Sequence, residues 1–187
     1  MERELRRYKN LLACVGTGVI TFGIWSVIKA IMTVVRDKDD LRMLLKWLLG
    51  EQYAELAMII LVITVGVIIA IDLVLRFGTG MAARRDGMDI KKGKHRVYLF
   101  FAFLLLVGTI LSLIYNFNDM AELGALSKYV TNNVLFSPYV DMILEVTVQT
   151  IVDATSAIMI IEMIVAGVKV GTLERKMKKA EAMEGAS

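Results

Sequence analysis

The sequence predicts an all-α integral membrane protein: a bundle of four transmembrane helices, with a short amphipathic interfacial helix between spans 1 and 2. Three observations carry this. Hydrophobic residues make up 57% of the 187-residue chain, against about 45–50% in soluble domains even with glycine counted. The excess is gathered into four long blocks rather than spread along amphipathic faces. Lys and Arg crowd the segments that alternate spans would place on one side. A mostly apolar stretch of about 18 or more residues can cross the roughly 30 Å hydrocarbon core of a bilayer.

The first span is expected over about 11–35, where "LLACVGTGVITFGIWSVI" runs without a charge. Its apolar core exceeds the roughly 7–15 residues of a cleavable leader and no clean small-x-small site follows, so it reads as a span. Cys14, the single cysteine, excludes an intramolecular disulfide. Gly16, Gly23 and Ala30 recur every seventh residue, a seam that lets another backbone approach closely. The segment 36–55 then mixes four basic with five acidic residues. Within it Leu41, Leu44, Leu45, Leu48 and Leu49 recur at helical spacing beside Trp47. This is the interfacial helix, lying on the membrane surface; the other reading is a lid over the end of the bundle.

The second span is expected over about 56–76. It is uncharged through Ile71 and closes on Asp72 and Arg76, an i,i+4 pair in the favourable order. That pair reads as an interfacial one, with the Arg76 stem buried and its head drawn to the boundary. The basic loop 77–96 follows. Gly78, Gly80, Gly87 and Gly93 predict that it is mobile. Arg84, Arg85, Lys91, Lys92 and Lys94 are candidate contacts for anionic lipid, although the same residues suffice as a bare topology signal.

The third span is expected over about 97–117 and the fourth over about 139–169. Gly66 with Ala70, Gly108 with Ser112, and Gly167 with Gly171 offer small-residue seams for bundle packing. Ser137 is placed to cap the fourth helix, with Pro138 in its first turn, where a missing N–H costs nothing. The tail 170–187 reads as a helical continuation of mixed charge. No internal repeat relates the two halves, and 1–187 forms a single membrane domain.

Cytoplasmic loops carry the excess of Lys and Arg. The N-terminus has Arg3, Arg6, Arg7 and Lys9, and the tail has Arg175, Lys176, Lys178 and Lys179, whereas 118–138 has only Lys128. Both termini and the loop 77–96 are therefore expected in the cytoplasm, in a multi-pass protein of the cell membrane. Tyr53, Tyr115, Tyr129 and Tyr139 fall near the opposite boundary, as an aromatic belt would.

The fourth span raises the functional question. Asp141, Glu145, Gln149, Asp153 and Ser156 fall within a sector of roughly 120° on a helix, with Glu162 off that stripe. A central Asp costs about 2.5–3.5 kcal/mol on insertion, while each Leu, Ile or Val returns about 0.3–0.6. About a dozen such residues return only some 4–7 kcal/mol, so this span is marginal alone and its stripe must face companions or water. Lys29, at matching depth on the first span, predicts a pair with Glu145 or Asp141. Asp153 has no basic residue at its depth on another span. With Gln149 it is the leading candidate for a functional group; Glu145 and Lys29 join it, and Glu162 is secondary.

The absences narrow the field. His95, the only histidine, lies in the basic loop. Paired-histidine haem ligation, a Glu-x-x-His di-metal bundle, a zinc site and a serine triad are thereby excluded. Asp72 and Asp153 sit at different depths and lack a GxGD signature, so no aspartyl protease dyad is expected. No GK[ST] phosphate loop occurs, and the basic run lacks the aromatics that nucleic-acid binding would use. No enzyme activity, cofactor or nucleic-acid partner is expected. Two classes remain. One is a non-catalytic accessory or structural subunit that meets lipid and other membrane helices, in a homo-oligomer or hetero-complex. The other is a small oligomeric transporter or channel whose fourth-span acids handle a proton or cation. A complex is favoured because no span is visibly broken at its middle, as transporter sites often are.

Overall fold

A computed structural model describes residues 1–89, 97–126 and 133–184, apart from the side chains of 126 and 133–138. It contains five helices and, among the described residues, no strand: α1 (Glu2–Arg36), α2 (Lys38–Leu49), α3 (Glu51–Gly87), α4 (Val97–Leu126) and α5 (Asn133–Glu184). All but α2 are long and apolar enough to cross a membrane, which makes this a multi-pass membrane protein. Lys91, Lys92, Lys94 and His95 lie outside the described residues.

Local chemistry sets the breaks. α1 begins with Glu2 and Glu4 in its first turn and ends with Arg36 in its last, each suited to the helix dipole. Asp37 interrupts it for one residue, and α2 resumes with Asp39 and Asp40 in its own first turn. Gly50 then reverses the chain at φ +83°, a conformation that a Cβ would strain. α3 closes with Arg84 and Arg85 in its last turn.

α1 and α3 form an antiparallel pair in intimate contact. A Cβ on Gly16 would sit 2.7 Å from the Gly80 carbonyl oxygen, and one on Gly80 would sit 2.6 Å from that of Gly16. Only glycine at both positions lets the backbones meet. α1 also packs on α5, and α5 on α4, whereas α3 and α4 touch less extensively. The termini, the end of α3 and the start of α4 together make up the basic end of the bundle. There Lys9 bridges Asp89 at 2.5 Å and Glu174 at 3.2 Å, and the Tyr98 hydroxyl donates to Asp86 at 2.9 Å.

The core lies in the half of the molecule nearest that end. Leu12, Val19, Ala102, Ile160, Met163 and Ala166 are buried together. Lipid tails are as apolar as these side chains, so what holds the helices here is close packing rather than expulsion from water. Towards the opposite end the helices splay. Only 6% of the most apolar stretch of α3 is buried within the chain, against 33% for α5.

Three expectations change, and one alternative falls away. The second helix does not yield to a glycine-rich loop after residue 76: α3 continues to Gly87, and Gly78, Gly80 and Gly87 are helical. Gly80 and Gly87 are contact points, the latter against the Lys9 carbonyl of α1. α5 starts at Asn133, so positions 137 and 138 lie within the helix rather than at its N-terminus. A Cβ added to Gly66 or Gly108 would meet nothing within 4 Å, so these two are not bundle seams, whereas Gly167 abuts Tyr98 and Leu99. Finally, α2 is no lid. It lies along α3 through Arg42–Glu55 and Lys46–Glu51 pairs, buries no residue, and leaves Leu44, Trp47 and Leu48 exposed.

Candidate functional site

From Glu145 onward the polar stripe of α5 turns inward and is met from three other helices, while Asp141 stays exposed. α4 contributes Ser112 and Asn116, spaced i,i+4 and therefore on one face. The Ser112 hydroxyl and the Asn116 amide donate to Asp153 Oδ2 at 2.7 and 2.9 Å. Gln149, one turn before Asp153, donates to the same oxygen at 2.9 Å. The carbonyl end of that amide accepts from the Lys29 ammonium of α1. Gln149 thus links a cation on one span to an acid on another.

Arg76 enters from α3. Its Nε pairs with Asp72 at 2.8 Å and its Nη1 donates to the Ser156 hydroxyl of α5 at 2.9 Å. The side chain is only 12% exposed, so it does not reach for the boundary. Its path is opened by Gly23 of α1, where a Cβ would stand 3.1 Å from the Arg76 Cβ. A small cavity of about 20 Å³ lies among Lys29, Arg76, Gln149, Asp153 and Ser156, room for about one water. Two cations, Lys29 and Arg76, stand against two acids, Asp72 and Asp153. The insertion cost of each charge is offset by partners and hydrogen bonds within the chain, as buried charges require.

Two expected pairings are therefore corrected. Glu145 takes Arg36, not Lys29, as its ion-pair partner, at 2.7 Å, because Lys29 is held one turn deeper by Gln149. Asp153 does not lack basic neighbours: Arg76, which the sequence suggests is interfacial, lines the same cavity, and so does Lys29. Glu162 lies apart, exposed on the outer face of α5, as do Arg84 and Arg85 at the end of α3. Sequence reasoning does not single out Ser112, Asn116 or Gly23 for this role. The i,i+4 polar pair in an otherwise apolar α4 is the available signal for the first two. No group of three or more His, Cys, Asp or Glu side chains able to hold a metal occurs among the described residues.

A fold of membrane-crossing helices joined by a central polar network defines the class, a polytopic helical membrane protein. No known protein family, no curated protein and no solved structure matches the chain.

Proposed function

We propose that this protein is a non-catalytic accessory or structural subunit of a membrane complex, meeting other membrane helices in a homo-oligomer or hetero-complex. The observation that carries this reading is the mutual satisfaction of the central charges around a cavity of about 20 Å³. Such a site stabilises one arrangement of helices, and its cavity is far smaller than the ~300–1,000 Å³ of a small-molecule pocket. The open surface at Gly66 and Ala70 of α3 supplies the small-residue face on which a partner helix could seat. The distribution of Lys and Arg supports a cell-membrane protein with both termini cytoplasmic. A reporter after Ser187 or near Gly87 is then retained inside, and one near Thr131 is exported; export at Gly87 reverses the orientation.

Asp153 separates this reading from the alternative, a small oligomeric transporter or channel. That alternative draws on the placement of titratable Lys29 and Asp153 on one cavity. Asp153→Asn keeps shape and hydrogen bonding and removes the charge. For a subunit, co-purification with partners survives Asn and is lost with Asp153→Leu. For a transporter, reconstituted proton or cation flux falls sharply with Asn while the fold persists.

A further inference from the structure

Between α1 and α5, towards the end opposite the basic one, the splay leaves a groove of about 380 Å³. That volume lies within the ~300–1,000 Å³ of small-molecule sites. We propose that this groove binds one membrane phospholipid with a zwitterionic, primary-amine headgroup, the headgroup at Arg36 and Glu145 and an acyl chain running down to Trp25.

The polar and apolar parts of the groove are segregated as a lipid requires. At its rim Arg36 donates through Nε to Asp37 at 2.8 Å and through Nη1 to Glu145 at 2.7 Å. Its Nη2 donates to neither carboxylate, and a phosphate oxygen can accept from it. The remaining oxygens of Asp37 and Glu145 can accept from an ammonium. A cation and two acids side by side thus complement a phosphate joined to an amine. Below the rim the walls are Met32, Leu144, Val148 and Val152, with Trp25 at the foot. Lys29 also lines this path, but its ammonium is committed to Gln149, which leaves its methylene stem as wall.

The length agrees. Arg36 and Trp25 are eleven positions apart on α1, about 16 Å at ~1.5 Å per residue, close to half of a ~30 Å hydrocarbon core. A single leaflet chain spans that distance. A partner helix is the weaker fit. Lys29 and Gln149, lower in the groove, pair with each other, so the donors and acceptors left open lie at one end of an otherwise apolar trough. Choline cannot donate to the carboxylates, and an anionic headgroup without an amine leaves Asp37 and Glu145 facing further negative charge.

Trp25 supplies the readout. The chain has two tryptophans, and Trp47 is 84% exposed, so Trp47→Phe leaves Trp25 as the sole indole without touching the groove. The full chain is reconstituted in phosphatidylcholine vesicles. Each vesicle set carries a small, equal fraction of acyl-brominated phosphatidylethanolamine, phosphatidylcholine or phosphatidylglycerol. The expected result is a several-fold greater quenching of Trp25 by the brominated ethanolamine lipid than by the choline lipid. That excess disappears in Arg36→Gln and in Glu145→Gln. Equal quenching by all three lipids means ordinary annular contact and overturns the site. Preference for phosphatidylglycerol overturns the headgroup assignment. Trp25 shielded from every brominated lipid means that a second copy occupies the groove, and the proposal fails.

Discussion

The two halves of the molecule are built on opposite principles. Near the basic end, α1 and α3 meet backbone to backbone at Gly16 and Gly80, and an apolar core fills the space between α1, α4 and α5. Towards the other end the helices part, most large apolar side chains face outward, and polar contacts join the helices: Lys29 with Gln149, Asp153 with Ser112 and Asn116, Arg36 with Glu145. The difference follows from the solvent. In lipid, leucine gains little by leaving the surface, so helices are held where backbones can interlock or where polar groups would otherwise lie unpaired. One half uses the first device and the other half the second. Arg76 stands at the join, with Gly23 opening its path.

The largest effect should come from spoiling the packed half. Gly16→Leu or Gly80→Leu forces side-chain atoms into a facing backbone that cannot retreat without separating α1 from α3. We expect loss of monodisperse protein in detergent, beyond the ~1–3 kcal/mol of ordinary overpacking. Gly66→Leu, made in the splayed half where nothing stands within 4 Å, should leave the isolated chain folded. Equal damage from Gly16→Leu and Gly66→Leu would erase the distinction between the halves. If Gly66→Leu strips a co-purifying partner while the chain stays folded, the open face of α3 acquires its use.

Next comes the join. Arg76→Met removes a cation from beside Asp72 and takes a donor from Ser156. Leaving one member of a buried pair unmatched costs about 3–5 kcal/mol; Asp72 is 35% exposed, so the lower end applies. Adding Asp72→Asn should recover part of the loss in a thermal unfolding assay. No recovery would mean that Arg76 acts through Ser156 alone. Gly23→Val tests the path itself, since the new methyls meet the Arg76 stem; a smaller loss of stability is expected, because that stem is flexible.

The helical class and the four spans were legible because hydrophobic block length reports bilayer thickness directly. So was the gathering of polar residues on one face of α5, of which Glu145, Gln149, Asp153 and Ser156 meet other helices. The pairings across helices were not. They depend on axial register, which span limits fix only to within a turn or more, and one turn decides whether Lys29 meets Glu145 or Gln149. Arg76 is hard to place from sequence for a related reason. The uncharged run of α3 ends at residue 71, but its register against α1 sets Arg76 beside Gly23, well inside the apolar stretch of α1. Composition locates the end of a greasy run, not the depth at which neighbouring helices hold it. Gly80 and Gly87 mislead in turn, since the same residue serves a flexible loop and a close helix contact.

The smallest expected effect tests register in the splayed half. Arg36 and Glu145 form an ion pair at 2.7 Å, but Arg36 is 61% exposed and also bound to Asp37. Pairs of that kind contribute about 0–1 kcal/mol. A double-mutant cycle with Arg36→Gln and Glu145→Gln should therefore give a coupling of a few tenths of a kcal/mol, falling as salt is raised. The cycle of Lys29→Met with Glu145→Gln should be additive within error. Lys29→Met with Gln149→Leu should couple more strongly than either, because that contact is part-buried and shared with Asp153. Were Lys29 and Glu145 instead to show the largest coupling of the three, α1 and α5 would be packed one turn away from the register described, and the groove that runs from Arg36 to Trp25 would lose its charged rim.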